Sequence, residues 1–491
     1  MLWYGFIYYI FFFFFFFFFI IFFLRLFFVN LFVRSNVYTF LTKITLSFFI
    51  FFAFFALTSL YYIFNFFSGF VYFSGNSIKF FDNYTANLLL NLVSLNFNLI
   101  SVYYFPFIYI FILITILSIL FCLAYSLNEL IIFTFYCVII LIAGYTLFFT
   151  DSLILFFIAY ELLLVPSFFI LYKFAKTRRC IEAAYLMFFW TQFGALFLIF
   201  SFIYLFCVCG TSSFLAISHF QFSAFEVNFL FICWFIGFGV KLPIWPFYGW
   251  LPKAHVEAST NFSIFLSGVL VKFAFFGLLK CLITLQLEPT FYFVYPFLTI
   301  GIVDSVFKLF YQIDLKKLVA YSTVVEMHWL TICVISGQTG LMLASFCMLI
   351  SHALLSTNSF LLVDAINRRF KTRLITEVSG VNFLCPKLFL LSLVNCLVFL
   401  GFPGSIFFIA EVLFFSFFFD LFPILCLFLL VLLYFFGPTF FFRSWMNALF
   451  GLSVFTQKNV PLDLNSKEIL LYGGLIILMF WLGLTWQLFI F

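Results

Sequence analysis

Ionisable side chains lie inside stretches of sequence that are otherwise apolar. A charge at the centre of a bilayer costs about 2.5–3.5 kcal/mol on insertion scales, so such residues usually face a protein interior or an ion pathway. Any one of them could form a buried structural ion pair, but both signs of charge recur along the chain. The set therefore indicates a path for protons or other cations, with these members: Glu161, Lys241, Lys272, Glu326, His352 and Glu411, followed by His328 and Asp364.

The composition requires a membrane for these residues to be buried in. Of the 491 residues, 67% are apolar and 8% are charged, whereas soluble proteins carry roughly 25% charged residues. A helix needs about 20 apolar residues to cross a bilayer. We therefore predict an all-α polytopic membrane protein of about fourteen helices, numbered 1 to 14: 6–24, 44–67, 105–125, 130–150, 152–173, 183–208, 228–250, 258–283, 291–311, 318–336, 341–365, 385–417, 422–442 and 469–489. The phenylalanine run Phe11–Phe19 is interpreted as a lipid-embedded anchor.

The basic residues predict an orientation. Almost all lysines and arginines outside the predicted helices fall in the odd-numbered loops, and the even loops contain only Lys79 and Lys280. The positive-inside rule then places the odd loops on the cytoplasmic or matrix side and both termini on the opposite side. The net charge of +6 thus reflects topology, and we do not expect nucleic-acid binding.

Two of the predicted helices contain residues that break helices. Pro243 and Pro246 follow Lys241 in helix 7, and each proline removes a backbone donor. In helix 12 the segment 401–405, Gly-Phe-Pro-Gly-Ser, precedes Glu411. Broken helices at corresponding positions of two halves are a sequence indicator of an ion path in transporters.

The spacing of the ionisable residues suggests an internal repeat. Lys241 and Glu411 are 170 residues apart, and Glu161 and Glu326 are 165 apart. Matching helices 4–8 with helices 9–13 gives units of five helices, an odd number, so the two repeats are expected to be inverted. The predicted organisation is residues 1–129 for helices 1–3, 130–283 and 284–442 for the two repeats, and 443–491 for the C-terminal loop and helix.

The cysteines do not predict a metal site. Most of the twelve lie in apolar stretches, and no Cys-x-x-Cys pair occurs among them. A zinc or iron–sulfur site would need such clustered ligands. We interpret the cysteines as small packing residues.

Three motifs carry a resemblance to a known family. From about residue 150 to 415 the chain resembles the subunit 4 family of mitochondrial respiratory complex I (NADH:ubiquinone oxidoreductase), which consists of antiporter-like subunits. The motifs are Ala159-Tyr160-Glu161 with Pro166, the segment 241–258 from Lys-Leu-Pro to Trp-Leu-Pro-Lys-Ala-His-Val-Glu-Ala, followed by 268–272, and the segment 314–322 that begins Asp-Leu-Lys-Lys.

The resemblance implies a proton-translocating subunit of the membrane arm, in the mitochondrial inner membrane. In such a subunit Glu161 pairs with Lys241, Lys272 and His352 relay protons, and Glu411 is the terminal acid. The resemblance also implies that NADH-to-ubiquinone reduction belongs to the assembly, that FMN and iron–sulfur clusters lie in other subunits and that this chain holds no cofactor. The implied partners are other membrane-arm subunits, including neighbouring antiporter-like ones, and membrane lipids.

One position departs from the family pattern. The family commonly has a histidine where Glu326 precedes Met327, and His328 lies two residues further on, about 200° around a helix. We expect that His328 does not replace the missing histidine and that Glu326 carries the proton. His255 and Glu257 are expected to cap a helix rather than to relay protons.

The mechanism predicted from these residues is proton loading controlled by the separation of Glu161 and Lys241. At about 4 Å and an effective dielectric constant near 20, their attraction is roughly 4 kcal/mol. Moving one charge through 100 mV takes roughly 2.3 kcal/mol, so opening this pair has the required size. Two alternatives stay open: a subunit of a multisubunit sodium/proton antiporter, and a structural scaffold of the membrane arm.

Overall fold

The computed structural model describes residues 110–119, 127–174, 177–284, 293–451 and 462–485. Predicted helices 1 and 2, with the run Phe11–Phe19, lie outside these residues. Within the described ranges the chain is almost entirely helical, and β-type pairing is limited to two isolated bridges, Ser152 with Ser213 and Asp314 with Leu374. Nine helices of this part are long and apolar enough to cross a membrane. The predicted all-α membrane class is therefore confirmed.

The described helices follow the predicted helices 3 to 14, with two differences: helix 12 is divided in two, and helix 7 ends at Lys241 and is followed by a short helix, Trp250–Glu257, that was not predicted. Short turns at Phe214–Ile217, Phe247–Gly249 and Val381–Leu384 stand between them. The helices are α1 (Ile110–Ile119), α2 (Leu127–Phe149), α3 (Leu153–Lys173, irregular at Leu163), α4 (Arg178–Cys209), α5 (Ala224–Lys241), α6 (Trp250–Glu257), α7 (Thr260–Thr284), α8 (Val294–Phe310), α9 (Leu315–Ile335), α10 (Thr339–Phe370), α11 (Pro386–Phe399), α12 (Ile406–Leu421), α13 (Pro423–Leu449) and α14 (Ser466–Leu484).

The core is formed by three helices that are buried almost all round. Helices α7, α9 and α10 expose almost nothing, and α10 packs against α9, α11, α12 and α14. In contrast, α4 exposes large apolar side chains such as Phe189 and Leu196. A helix that is apolar on every face belongs in a core or in lipid. Polar groups are thus concentrated in the centre, while the outer helices present apolar surface.

The first helix break separates α5 from α6. After Lys241, Pro243 and Pro246 cannot donate backbone hydrogen bonds, and the groups that the break frees find other partners. The N–H of Trp245 donates to Nε2 of His328 at 2.8 Å, and the indole of Trp250 donates to the carbonyl of Val240 at 2.8 Å. The break is therefore stabilised by His328 of α9 and by Trp250 at the start of α6.

The second break separates α11 from α12. Gly401 has a φ of +73°, and the N–H of Phe402 bonds the carbonyl of Leu397 at 3.2 Å, which is the glycine-dependent end of a helix. Ser405 then caps α12 by accepting from the N–H of Phe408 at 3.2 Å. Both breaks lie where the sequence predicted them.

Two helices contain a π-helical segment that no sequence pattern predicted. It covers Leu266–Leu270 in α7 and Val431–Phe436 in α13. Such segments shift the hydrogen-bonding register and occur frequently at functional sites. Each one adjoins an ionisable residue of the predicted set, because Lys272 follows the first and Tyr434 of the second bonds Glu411.

Lys280 lies in a helix, whereas the positive-inside analysis of the sequence assigned it to an even-numbered loop. It belongs to the last turns of α7, and its ammonium donates to the carbonyls of Leu147, Phe148 and Thr150, at or beyond the C-terminal end of α2. The last carbonyls of a helix lack helical partners and carry partial negative charge. A cation from α7 satisfies them here, so Lys280 fixes α2 to α7.

We predict that Lys280→Met lowers stability by about 1–2 kcal/mol, since it leaves the end of α2 without its cation. Ten of the eleven described cysteines are buried, so a thiol-reactive dye can follow thermal unfolding in detergent. The matched control is Lys253→Met, because Lys253 is exposed. Equal unfolding midpoints for both variants would contradict the assignment.

Candidate functional site

Lys241 ends α5 at the first break and is almost fully buried. Its ammonium donates to the backbone carbonyl of Tyr160 in α3 at 2.8 Å. The same nitrogen lies 3.2 Å from the centre of the Tyr160 ring, and the Tyr160 hydroxyl donates to the carbonyl of Gly237 at 3.1 Å. A carbonyl and an aromatic face, both neutral, therefore hold the charge.

The direct ion pair expected between Glu161 and Lys241 is not made in this structure. Among the described ion pairs none joins them, because the Glu161 carboxylate accepts from the amide of Gln192 at 2.8 Å. Glu161 still acts on Lys241 electrostatically. The two groups are thus neighbours without a direct bond.

Lys272 lies in α7, directly after the π-helical segment, and is completely buried. Its ammonium donates to the carbonyl of Ser267, five residues earlier in the chain. Ser267 belongs to the π-helical segment Leu266–Leu270. Glu326 of α9 lies within electrostatic reach of Lys272.

Glu326 and His352 approach each other between α9 and α10. Both are buried, and Oε2 of Glu326 lies 3.7 Å from Nε2 of His352. His328 points elsewhere, since its Nε2 accepts from the Trp245 N–H and its Nδ1 lies 2.8 Å from the Val324 carbonyl. These contacts direct His328 to the helix break and away from Glu326 and His352. Gly301 of α8 leaves the space for it, because a Cβ there would overlap the imidazole.

Glu411 follows the second break in α12 and is almost fully buried. Its Oε2 accepts a hydrogen bond from the Tyr434 hydroxyl at 2.7 Å. A Cβ on Gly401 would lie 2.3 Å from the same oxygen. The break thus provides both the turn and the space for this carboxyl group.

The remaining residues of the set are placed differently. Asp364 pairs with Arg368 one turn away in α10 at 2.8 Å, a partly exposed pair that lies apart from the central residues. Glu257 accepts a weak hydrogen bond from Thr177 at 3.4 Å. The expectation that His255 caps a helix is wrong, because neither of its ring nitrogens bonds a backbone group in the described chain.

Unpartnered polar atoms are concentrated on three residues of the predicted set and on His255. Of eleven buried side-chain nitrogen and oxygen atoms that lack a hydrogen bond within the described residues, six belong to Glu161, His255, Glu326 and His352. Buried polar groups are nearly always bonded to protein or ordered water. These side chains therefore have free positions through which water or a moving proton can connect them.

Three residues that form part of the buried site were not identified from the sequence. Gln192 and Tyr434 hold the two terminal carboxylates, and buried Lys316 donates to the Ala258 carbonyl at 2.6 Å. Gln192 carries a usable signal, a lone amide in an apolar helix. Tyr434 carries none, because tyrosine is common throughout the chain. In the part of the chain that is described, no group of three or more His, Cys, Asp or Glu residues could hold a metal ion.

The fold and the buried charges agree with a family match that covers more than half of the sequence. Residues 150–437 match the family described as NADH:quinone oxidoreductase/Mrp antiporter, TM. The chain belongs to this family of membrane proteins.

Within the family, the chain is similar to NADH-ubiquinone oxidoreductase chain 4. It is 37% identical to that protein of Paramecium tetraurelia over 337 residues, which are 67% of this chain and 70% of the relative. Identity with chain 4 of Chondrus crispus is 31% over 336 residues, 68% of each protein. The resemblance found in the sequence motifs is confirmed.

Solved structures share the fold. A chain of the Mrp complex from Dietzia sp. superposes with a TM-score of 0.68 at 16% identity, over 78% of this chain and 81% of that one. A chain of respiratory complex I from Thermus thermophilus with bound NADH gives 0.66 at 19% identity, over 77% and 80%. At these identities the likeness concerns architecture alone.

We predict that His328→Ala lowers stability by about 1–3 kcal/mol, because the Trp245 N–H in the break loses its acceptor. Dye labelling of buried cysteines on heating measures the change. The exposed His219, changed to Ala, is the control. If both alanine variants unfold at the wild-type temperature, His328 does not stabilise the break.

Proposed function

We propose that this chain translocates protons as a membrane-arm subunit of respiratory complex I in the mitochondrial inner membrane. The observation that carries the proposal is the row of buried ionisable side chains from both helix breaks and the helices between them. Glu161, Lys241, Lys272, Glu326, His352 and Glu411 would carry the proton. The relatives named NADH-ubiquinone oxidoreductase chain 4 support the assignment to this complex.

The first part of the proposed path is the loading of Lys241. In the described arrangement its ammonium bonds the Tyr160 carbonyl, and Glu161 bonds Gln192. Movement of the Glu161 carboxylate onto Lys241 would add an attraction of roughly 4 kcal/mol at about 4 Å. This exceeds the roughly 2.3 kcal/mol for one charge in 100 mV. The described arrangement therefore serves as the open state of the pair, in which Lys241 releases its proton.

The central part of the path is Lys272, Glu326 and His352. A protonated carboxyl group donates a hydrogen bond and an ionised one accepts, so Glu326 can take a proton from the Lys272 side and offer it to His352. The 3.7 Å between Glu326 and His352 is longer than a hydrogen bond. One bridging water or a small side-chain movement closes this gap.

The last part of the path is Glu411. Its Oε2 accepts from the Tyr434 hydroxyl, and the left-handed turn at Gly401 keeps the adjacent space open. Glu411 would receive the proton that leaves His352, since α10 and α12 pack closely. Release to the far side would follow at the second break.

The inverted repeat, residues 130–283 and 284–442, belongs to this proposal and gains support from recurring irregular features. The helices Arg178–Cys209 and Thr339–Phe370 both have 32 residues and end in a left-handed residue. The isolated bridges at Ser152 and Asp314 recur after 162 residues, and the π-helical segments begin 165 residues apart. Local deviations that repeat at one offset are unexpected in unrelated halves.

The remaining assignments follow from the same proposal. Odd loops would face the matrix and both termini the intermembrane space. The partners would be other membrane-arm subunits, including antiporter-like ones, and inner-membrane lipids. NADH oxidation and ubiquinone reduction, with FMN and iron–sulfur clusters, would occur elsewhere in the assembly, and the activity of this chain would be the coupled proton transfer.

We predict that Lys241→Ala reduces the number of protons taken up per NADH oxidised, because the first carrier is lost. The measurement compares NADH oxidation with proton uptake in sealed membrane vesicles, normalised to assembled complex. Lys253→Ala, at an exposed site, should leave the ratio unchanged. An unchanged ratio with Lys241→Ala rejects this path.

The same preparation separates the alternatives. Sodium-dependent transport without NADH would favour a sodium/proton antiporter subunit, whose fold the Dietzia Mrp complex shares. Reduced abundance of the complex with normal pumping per complex would favour a scaffold role for the buried charges.

Two glycines provide a matched pair for the role of Glu411. Gly401 and Gly404 both have positive φ, +73° and +91°, so alanine strains the backbone at both. Only at Gly401 does the added Cβ meet the Glu411 carboxylate, since at Gly404 the nearest atom belongs to Phe480 at 3.8 Å. We predict that Gly401→Ala lowers proton uptake per NADH more than Gly404→Ala does. Equal effects would mean that the position of Glu411 is not critical.

A further inference from the structure

His255 occupies an unusual position for a histidine. It lies in the last turn of α6 and is completely buried. Its imidazole stacks on the ring of Phe360 in α10, with ring centres 4.9 Å apart and planes inclined by 19°. Stacking covers the face of the imidazole and leaves the edge, where both nitrogens lie, free to form hydrogen bonds.

Neither ring nitrogen of His255 has a hydrogen-bond partner among the described residues. His328 is the contrasting case, because both of its nitrogens are occupied by backbone groups, the Trp245 N–H and the Val324 carbonyl. A histidine that is bonded at both nitrogens is held in one tautomer. The two nitrogens of His255 can exchange roles, since nothing in the fold fixes its tautomer.

The surroundings of His255 reach two different levels of the helix bundle. The Lys316 ammonium bonds the carbonyl of Ala258, three residues after His255. The imidazole stacks on Phe360, which follows His352 by eight residues in α10, about 12 Å along the helix axis. Lys316 is ten residues before Glu326 in α9, which is about 15 Å along the helix axis. His255 therefore contacts the helix that carries His352 and lies next to the start of α9.

The region around Lys316 leads toward the loop side of the bundle. The Lys316 ammonium bonds the Ala258 carbonyl, just after α6. Arg373 bonds the Val256 carbonyl at 3.1 Å and pairs with Asp314 at 2.8 Å. Arg373 and Asp314 are partly exposed. This cluster, which we call the α6 clasp, holds the end of the helix that carries His255 next to an accessible surface.

We propose that His255 is a proton-transfer residue that connects the α6 clasp with Lys272 and His352. This proposal rests on the proposed function and adds to it the route by which protons reach the centre from the odd-loop side. The motif from Trp250 to Ala258 and the motif beginning at Asp314, to which the pathway had given no role, would together build this access.

The transfer step needs no net charge on the imidazole. A hydronium ion at the end of a water chain on the clasp side gives a proton to the unprotonated ring nitrogen, so that an N–H bond forms as an O–H bond breaks and a neutral water is left. The other nitrogen releases its proton to a water on the side of His352. Burial disfavours a resting imidazolium, so the proton passes through, and a ring rotation then turns the new N–H bond toward His352 and the unprotonated nitrogen toward the clasp.

His255→Phe is the decisive variant, because phenylalanine keeps the stack on Phe360 and has no nitrogen. Proton uptake and NADH oxidation are measured in sealed vesicles per assembled complex, beside Lys241→Ala. We expect His255→Phe to lose the same part of the proton uptake that Lys241→Ala loses. Wild-type uptake with His255→Phe overturns the proposal and assigns His255 a packing role.

A second variant, His255→Ala, tests the proposal even if His255→Phe impairs assembly of the complex. His255→Ala leaves space that imidazole can enter, so added imidazole should restore proton uptake, whereas it should not restore that of Lys241→Ala. His328→Gln, at a histidine bonded to the backbone, should retain uptake without imidazole. Wild-type uptake in His255→Ala, or a loss that imidazole does not restore, overturns the proposal.

The two proposals fail in different ways. If Lys241→Ala retains full proton uptake, the proposed function of the chain is rejected. If Lys241→Ala loses uptake while His255→Phe retains it, the function stands and protons reach the centre by a route that avoids His255.

Discussion

Each lysine that is fully buried in the described chain donates its ammonium to a backbone carbonyl. Lys241 bonds Tyr160, Lys272 bonds Ser267 and Lys316 bonds Ala258. A charge without a partner in an apolar interior is prohibitively costly, so these bonds are a condition for keeping lysines in the bundle. A carbonyl within a regular helix already accepts from one helical N–H group, although its second lone pair can still accept, as the Gly237 carbonyl does from Tyr160. Carbonyls at irregular places and beyond helix ends are less fully occupied and are therefore the readier acceptors.

The irregularities of the helices occur at those places. Ser267 lies in the π-helical segment of α7, and Ala258 follows the end of α6. Tyr160 lies three residues before the irregularity at Leu163 in α3. Partly buried Lys280 follows the same rule at the end of α2. Helix distortion and charge burial thus depend on each other, which explains why a bundle of apolar helices is interrupted at the charged positions.

Much of this architecture could be predicted from sequence, because it follows from strong local signals. Apolar length predicted the helices that the structure describes, Pro243 and Pro246 predicted the first break, and the 200° between Glu326 and His328 predicted that they face different neighbours. The carbonyl acceptors of the lysines could not be predicted, because a π-helical segment leaves no composition signature. Glu161 bonds Gln192 and not Lys241. This partner could not be predicted either, because it depends on how α3 packs against α4. His255 was misassigned, since its place near a helix end suggested a cap and its buried stack on Phe360 arises only in the folded bundle.

Holding lysine on a carbonyl has a consequence for proton transfer. An ion pair with a carboxylate loses its attraction when the ammonium releases its proton, so the side chain is then free to leave its place. A neutral amine keeps two N–H groups and can still donate to a carbonyl. A charged hydrogen bond of this kind contributes about 1.5–3 kcal/mol, less than the roughly 4 kcal/mol of a close ion pair. In the proposed path, Lys241 and Lys272 would therefore change protonation state without losing position, while Glu161 and Glu326 would act on them without a direct bond. This separation of the group that holds a lysine from the group that controls its proton suits a carrier that must load and discharge repeatedly.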